Sequence, residues 1–246
     1  EGRMSGTPSE DFVFVPLLTE KQVVGGIIVQ SYEKEIHYSD EDVHVLEFVA
    51  NHIATALTRA RAIEETRQRN SELQIINSIQ QGLAAELGFQ AIVNLVGDKL
   101  REVFNTHDLA INWYEEKTNL VHYLYFYEHG EKIQIEPRHP TPSGIFDRLK
   151  SSRKPVIWNT AEEGNAIAPT IPGTDESKSG VALPIISGDR TLGIIQVENY
   201  EREKAYGESE LRLLTTIAAS LGTALENARL FDETQRLLKE TKERNA

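Results

Sequence analysis

The side chains with the most scope for chemistry are seven histidines and a surplus of carboxylates, because the chain contains no cysteine. The histidines show neither the HExxH pattern nor any other metal-ligand spacing, and a thiolate-bound metal is excluded. Patterns typical of a serine nucleophile, a Walker A loop or a dinucleotide fingerprint are also missing from the sequence. Gly25 and Gly26 fall inside a predicted strand rather than a phosphate-binding loop. These residues predict no catalytic site, no metal site and no enzyme.

The residues best suited to a ligand site are aromatic and polar side chains in the middle of the chain. They are Trp113, Tyr125, Phe146, Trp158 and Asn159, with Arg138 and His139 at the rim. Alternation along the predicted strand at 120–130, which contains Tyr125, places Tyr123, Tyr125 and Tyr127 on one face. Packed cores have the same composition, so the sequence leaves open whether these side chains line a pocket or fill it.

Charge and hydropathy narrow the class of partner. The formal net charge is −12, which does not match a surface for nucleic acid or for anionic membranes. The longest apolar runs have the length of strands, so we expect no membrane span, and no signal peptide is visible. The lack of cysteine fits a reducing compartment, and we expect a cytoplasmic protein.

The elements that must position these residues belong to a chain that repeats itself. Residues 13–67 and 181–235 align without a gap at an offset of 168 positions. Identical pairs include Pro16 with Pro184, Gly25 with Gly193, Leu46 with Leu214 and Ala60 with Ala228. Each copy reads as a β-hairpin that runs into a long helix. Between the copies the pattern predicts an amphipathic helix over 88–104, then strands and short connecting elements.

Both long helices carry apolar residues at alternating steps of three and four, the spacing of a coiled-coil seam. The seam residues are Leu46, Val49, Ile53, Ala60 and Ile63 in the first helix, and Leu214, Ile217, Leu221, Ala228 and Phe231 in the second. Asn70 is a polar seam position, typical of a stalk that must switch. The pattern favours a parallel homodimer. The alternative is a monomeric helix whose apolar stripe packs against the opening helix of the neighbouring domain.

Four segments together resemble a GAF domain: GLAAELGFQAIVNLVGDKLREVF, SGIFDRLKSSRKPVIWNT, VALPIISGDRTLGIIQVEN and YGESELRLLTTIAASLGTALENAR. The resemblance implies an α+β fold with a central antiparallel sheet flanked by helices, and long linker helices that form a coiled-coil-like stalk. It implies a complete domain at 72–230 and the C-terminal part of a first domain at 1–61. A helical linker at 62–84 and a C-terminal signalling helix at 231–246 complete the division.

The resemblance also limits the ligands. GAF domains that bind cyclic nucleotides carry an Asn-Lys…Phe…Asp-Glu motif, which is degenerate here. The corresponding positions are Asn199, Tyr200, Tyr206, Glu210 and Leu211. Covalent bilin attachment and sulfoxide reductase activity both need cysteine, and a haem ligand would have to be His122, His129 or His139, each more typical of a surface or strand position. We therefore expect no cofactor, while an unknown small-molecule ligand stays open.

The function that the resemblance implies is regulatory. Such a module senses a small molecule or a neighbouring domain, dimerises, and relays the signal through its helices to an effector, as in histidine kinases and nucleotide cyclases. That effector would lie downstream, outside these residues. The alternatives are a ligand-free dimerisation scaffold and a cyclic-nucleotide-binding domain with a degenerate motif.

Overall fold

A computed structural model describes residues 8–20, 22–86, 88–167 and 175–244. Its elements, in chain order, are β1 Asp11–Leu18, β2 Val23–Ser31, α1 Asp40–Ala85, α2 Phe89–Phe104, β3 Leu109–Glu115, β4 Leu120–Glu128, β5 Glu131–Lys132, α3 Ile145–Ser152, β6 Val156–Trp158, α4 Ala161–Ile167, β7 Ser179–Ser187, β8 Arg190–Asn199 and α5 Glu208–Arg244. The chain divides into two units. The first ends at Ser71 and the second begins at Glu72, so α1 contributes to both.

The first unit is an antiparallel hairpin packed on the N-terminal part of α1. β1 and β2 pair along their full length, and alternation sends every second side chain of β1 toward the helix. Val15 and Leu17 bury there against Ala50 and Ala54. This small cluster is the whole buried core of the first unit within the described residues.

The start of α1 is fixed by Ser39, which immediately precedes the helix. The Ser39 hydroxyl donates to the Asp42 carboxylate at 2.6 Å, and that carboxylate also accepts the Ser39 backbone N–H at 2.8 Å. These two hydrogen bonds stabilise the ionised carboxylate and hold the pKa of Asp42 below its usual range.

The second unit is built on a six-stranded antiparallel sheet in the order β5-β4-β3-β8-β7-β6. One face, here called the helix face, is covered by α2, α5 and the last turns of α1. Its core includes Ile92, Val96, Ile195, Leu221 and Ile79, all essentially inaccessible to solvent. The opposite face, here called the second face, carries α3 and its own apolar cluster. The predicted α+β fold, with helices flanking an antiparallel sheet, is confirmed.

The stripe predicted as a dimer seam in the second long helix has a different role. Leu214, Ile217, Leu221 and Ala228 of α5 are buried in the core of their own unit, so they are not a free seam. The prediction was wrong for these four because a helix that packs on its own sheet shows the same three-and-four spacing as a coiled coil. Phe231, beyond the sheet, is exposed.

The seam residues of the first long helix are mostly exposed. Val49, Ile53, Ala60, Ile63 and Asn70 all have exposed side chains. Leu46 is partly buried against the hairpin. Their pairing with a second copy stays a prediction. Among the described residues, none of the helices combines enough length with enough apolar residues for a membrane crossing.

Candidate functional site

The second face of the sheet holds the larger part of the predicted site. Its buried cluster consists of Tyr114, Val121, Phe146, Leu149, Trp158, Ala182 and Ile194. Phe146 packs on Tyr114 with ring centroids 4.7 Å apart, and Lys150 Nζ lies 4.5 Å from the centre of the same Tyr114 ring. Phe146 and Trp158, which sequence reasoning placed at one site, therefore do share a cluster.

Trp158 is seated by two glycines. A Cβ at Gly180 would lie 2.1 Å from Trp158 Cζ2, and one at Gly164 would lie 2.9 Å from Cδ1. The indole N–H donates to the Ser177 hydroxyl at 3.0 Å, so its polar atom is satisfied. Because neither glycine has a side chain, the Trp158 ring can pack directly against Gly180 of β7 and Gly164 of α4.

Trp113 and Tyr125 lie on the helix face, so the structure does not bring them together with Phe146 and Trp158. Trp113 meets Phe89 of α2 edge-on at 4.8 Å. The Tyr125 ring packs against the space beside Gly97, and its hydroxyl donates to Asp98 at 2.8 Å. Burial raises the pKa of the Tyr125 phenol. These two aromatic side chains anchor α2 to the sheet.

A β-bulge between β3 and β4 explains why Tyr123 and Tyr125 lie on different faces of the sheet. β3 and β4 pair Ile111 with Tyr125 but Asn112 with Tyr123, so Leu124 has no partner in the ladder. The extra residue reverses the alternation, and Tyr123 packs on the second face while Tyr125 and Tyr127 pack on the helix face. The prediction that all three tyrosines share a face was wrong for this reason.

The three remaining predicted residues lie at the margin of the second face. Arg138 Nε donates to the Tyr123 hydroxyl at 2.9 Å, with the guanidinium 5.0 Å from that ring. His139 Nδ1 is 2.8 Å from the Asn119 carbonyl. The Asn159 backbone N–H donates to Glu163 at 2.6 Å, which places Asn159 at the start of α4. Arg138 and His139 thus lie exposed beside β4.

Sequence reasoning missed Asn112, the most unusual polar residue on this face. It is 5% exposed, pairs in register with Ile194 and Tyr123, and its Oδ1 finds no hydrogen-bond partner within the described residues. A buried amide oxygen without a partner destabilises a folded protein by roughly 1–3 kcal/mol. An asparagine in the middle of the apolar strand LAINWYE was the available signal.

A second missed group, Glu198, lies on the same face near the end of β8. Burial raises the pKa of its carboxyl, and hydrogen bonds from Ser177, Gln196 and Tyr200 only partly offset that rise. The Tyr200 hydroxyl donates to Glu198 Oε2 at 3.3 Å. A carboxyl that keeps its proton longer than usual is able both to donate and to accept a hydrogen bond.

Residues at the positions of the degenerate cyclic-nucleotide motif make hydrogen bonds in the turn after β8 and at the start of α5. Asn199 Oδ1 accepts the backbone N–H groups of Glu201 and Arg202 in the turn after β8. Glu210 accepts the Gly207 N–H at 2.9 Å at the start of α5. Tyr206 donates to the Glu198 carbonyl. In the described part of the chain, no group of three His, Asp or Glu side chains is arranged to hold a metal ion.

A groove of about 580 Å³ lies on the other side of the second unit, between the last turns of α1 and the middle of α5. Much of its wall is small or apolar, including Leu83, Ala84, Ala224, Ala228 and Phe231. The neighbouring α5 residues Leu230, Leu237 and Leu238, together with Phe231, are each about half exposed, at 47, 51, 51 and 45%.

Comparison with known proteins identifies the same fold. The family model described as GAF domain matches residues 2–58 and 86–226. The formate hydrogenlyase transcriptional activator of Escherichia coli (strain K12) is 22% identical over 239 residues, which are 92% of this chain but 34% of that protein. The chain thus spans about a third of the length of this relative.

Solved structures show the same fold. The GAF domain of an Acinetobacter phosphoenolpyruvate-protein phosphotransferase superposes with a TM-score of 0.57 at 14% identity, covering 65% of this chain and 96% of that one. A bacteriophytochrome from R. palustris superposes with a TM-score of 0.55 at 8% identity, covering 72% and 42%. At these identities the likeness shows the fold.

Proposed function

The chain belongs to the GAF domain family, and we propose from this premise that it is a regulatory sensor module and not an enzyme. GAF domains are sensor and regulatory modules, and the Escherichia coli relative is a transcriptional activator. The second unit receives the signal as a small polar ligand on the second face of its sheet. Helix α5, which closes the opposite face, carries the response onward.

The observation that carries the ligand is the unpartnered oxygen of Asn112. A residue whose only role was packing would be an apolar side chain of similar shape, because the amide costs stability where it lies. The complementary ligand has an N–H or O–H group that donates to this oxygen. Glu198 and Gln196, on the same face of β8, supply further polar contacts, and exposed Arg138 offers a positive charge at the rim.

A thermal-shift screen with a panel of small polar metabolites tests the ligand. At least one compound should raise the melting temperature of the wild type and leave Asn112→Leu unchanged. Without ligand, Asn112→Leu should melt at the same or a higher temperature, because it removes an unsatisfied amide. Asn94→Leu is the matched control, since Asn94 is a partly exposed α2 residue whose amide already pairs with Gln90 at 3.0 Å. A panel without any shift, or a compound that stabilises Asn112→Leu equally, would favour the ligand-free scaffold.

We further propose that the module is a parallel homodimer joined along the free part of α5. The exposed residues Leu230 and Leu237, and likewise Phe231 and Leu238, recur at seven-residue spacing, as in a two-helix coiled coil. Sedimentation of the wild type and of Leu238→Glu tests this. The wild type should sediment as a dimer and the variant should shift toward monomer, whereas a wild-type monomer at every concentration would contradict the proposal.

A further inference from the structure

Three carboxylates surround one hydroxyl at the end of the second face. Asp108 precedes β3, Glu128 ends β4, and Glu198 lies near the end of β8, where its backbone N–H donates to the Asp108 carbonyl at 3.2 Å. Burial raises the pKa of the Tyr200 phenol, and the negative charges of Glu198, Glu128 and Asp108 raise it further. All three carboxylates therefore lie close to the Tyr200 hydroxyl.

These carboxylates have no positive counter-charge within the described residues. None of the three forms an ion pair there with a lysine, arginine or histidine, and the neighbouring His129 pairs with Asp175 instead, at 3.0 Å. Like charges that are partly withdrawn from water repel one another, so this end of the face favours a bound cation. The cation is organic, since no group of three His, Asp or Glu side chains in the described ranges is arranged to hold a metal ion.

An aromatic ring lies beside the same carboxylates. Gly180 pairs in register with Glu198, and the Trp158 ring packs on Gly180. The Ser177 hydroxyl accepts the Trp158 indole N–H at 3.0 Å and also hydrogen-bonds to Glu198. An alkylammonium group is attracted both to carboxylates and to the face of a tryptophan ring. This end of the second face therefore suits an ammonium group.

Hydrogen-bond acceptors continue from Glu198 along the second face. Gln196 is two residues before it on β8, and Asn112 of β3 pairs with the position two residues before that. The three polar residues thus stand at steps of about 6.7 Å, and the row is about 13 Å long. Buried Ala110 and Ala182 flank Gln196 in the sheet and make the middle of the row apolar. An elongated molecule with a polar group at each end fits this row.

The two ends of the row differ in charge. Exposed Arg138 lies at the Asn112 end, because its Nε donates at 2.9 Å to the hydroxyl of Tyr123, which pairs in register with Asn112. A cationic group is therefore favoured at Glu198 and disfavoured at Asn112, where the unpartnered Oδ1 needs only a neutral donor. The net charge of −12 also favours the approach of a cation over that of an anion.

We propose, as a refinement that rests on the proposed ligand site, that the ligand is an elongated aliphatic amine with a neutral hydroxyl or amide group at its far end. Its ammonium group lies against Glu198 and Trp158. Its aliphatic chain crosses Ala110 and Ala182, and its far end donates to Asn112 Oδ1. Long-chain amino alcohols and N-acylated diamines have these features.

Thermal shift and tryptophan emission with 8-amino-1-octanol as the probe test this. The matched compounds 1,8-octanediol and 8-hydroxyoctanoate keep the chain and replace the ammonium by a neutral or a negative group. The amino alcohol should raise the wild-type melting temperature and change Trp158 emission, with an affinity at least about tenfold above that of either matched compound.

Three variants locate the binding. Glu198→Gln should weaken binding of the amino alcohol at least about tenfold, and Asn112→Leu should weaken it about fivefold or more. Glu203→Gln is the matched control, because it removes the charge of an exposed carboxylate nearby in the chain. It should weaken binding less than about twofold, since exposed charges are screened.

The amine class is overturned if the amino alcohol does not bind or if the diol binds equally well. Equal losses in Glu198→Gln and Glu203→Gln also overturn it, because they indicate a general attraction to an acidic protein. If a compound without an amine stabilises the wild type but not Asn112→Leu, the amine class fails and the proposed ligand site stands. If no compound distinguishes the wild type from Asn112→Leu, the ligand site itself fails.

Discussion

The two copies of the hairpin and helix have the same local structure and opposite surroundings. β1, β2 and α1 correspond to β7, β8 and α5 at a constant offset of 168 residues. In the second unit this motif is the centre of a full core, while in the first it has a small cluster around Ala50 and Ala54. Local pattern therefore determines the elements, and the neighbouring segments determine whether their apolar faces are buried.

The hairpin of the second unit contributes to the second face of its sheet, and the residues there differ in type from their counterparts in the first hairpin. Gly180, Ala182, Gln196 and Glu198 of the second unit correspond to Phe12, Phe14, Ile28 and Gln30 of the first. The second copy thus has small and polar residues where Trp158 and the candidate ligand site lie, whereas three of the four first-copy residues are large and apolar. The two copies therefore differ in residue type where the proposed ligand site lies.

Alanine substitution of equivalent helix residues should give the largest difference in stability between the two copies. Leu221→Ala removes a fully buried side chain and should lower the free energy of unfolding by about 2–5 kcal/mol. Its counterpart Ile53→Ala, at a 38% exposed position, should cost less than about 1 kcal/mol. Urea unfolding followed by far-ultraviolet circular dichroism registers both units. Equal losses in the two variants would contradict the difference in burial.

Replacement of a residue on this face by its counterpart from the other copy should have an effect of intermediate size on stability. Gly180→Phe copies Phe12 and forces the new side chain into the space of Trp158, which should cost about 1–3 kcal/mol. Tryptophan emission should shift to longer wavelength as the indole of Trp158 loses its burial. Phe12→Gly, the reverse change in the first unit, should leave the tryptophan unfolding transition in place. A Gly180→Phe protein with native emission and stability would show that the glycine is not required.

The smallest expected effect concerns pH. The pKa of Glu198 is raised in the folded state, so its carboxyl does not destabilise the protein below the unfolded pKa of about 4.3, and it destabilises progressively as pH rises through the folded pKa. Glu198→Gln, which copies Gln30, should therefore gain stability relative to the wild type as pH increases from about 4 to 8. Urea midpoints from tryptophan fluorescence measure this.

Glu226→Gln is the control of opposite sign. A hydrogen bond from Arg229 lowers the pKa of Glu226, so its contribution is present above the unfolded pKa and is lost as pH falls. The wild type should therefore lose its advantage over Glu226→Gln in acid. A Glu198→Gln difference that does not change with pH would contradict the burial of that carboxyl.

The sequence predicted the elements well because their signals are local. The hairpin strands and the long helices show their apolar periodicity over residues that are close in the chain, and the resemblance to GAF domains predicted the antiparallel sheet. The faces of β4 were predicted wrongly because one unpaired residue, Leu124, reverses a period-two pattern. No residue type in β3 or β4 predicts that bulge.

The role of the helix stripes and of Asn112 depends on distant residues. Leu214 and Ile217 have the spacing of both a coiled-coil seam and a core-facing stripe, and only the packing of α2 and the sheet decides between them. Asn112 is notable only once Ile194 and Tyr123 are known to flank it. The sequence nevertheless placed Phe146, Trp158, Arg138 and His139 on or beside the face that holds it.

Amide hydrogen exchange of equivalent helix segments in one sample of the 246-residue chain tests the central contrast most directly. The apolar side chains of 45–57 are exposed, whereas their counterparts in 213–225 are buried. Because the helix side chains are buried in the second segment and exposed in the first, amides of 213–225 should exchange at least about a hundredfold more slowly than those of 45–57. Equal protection of the two segments, independent of protein concentration, would contradict the account.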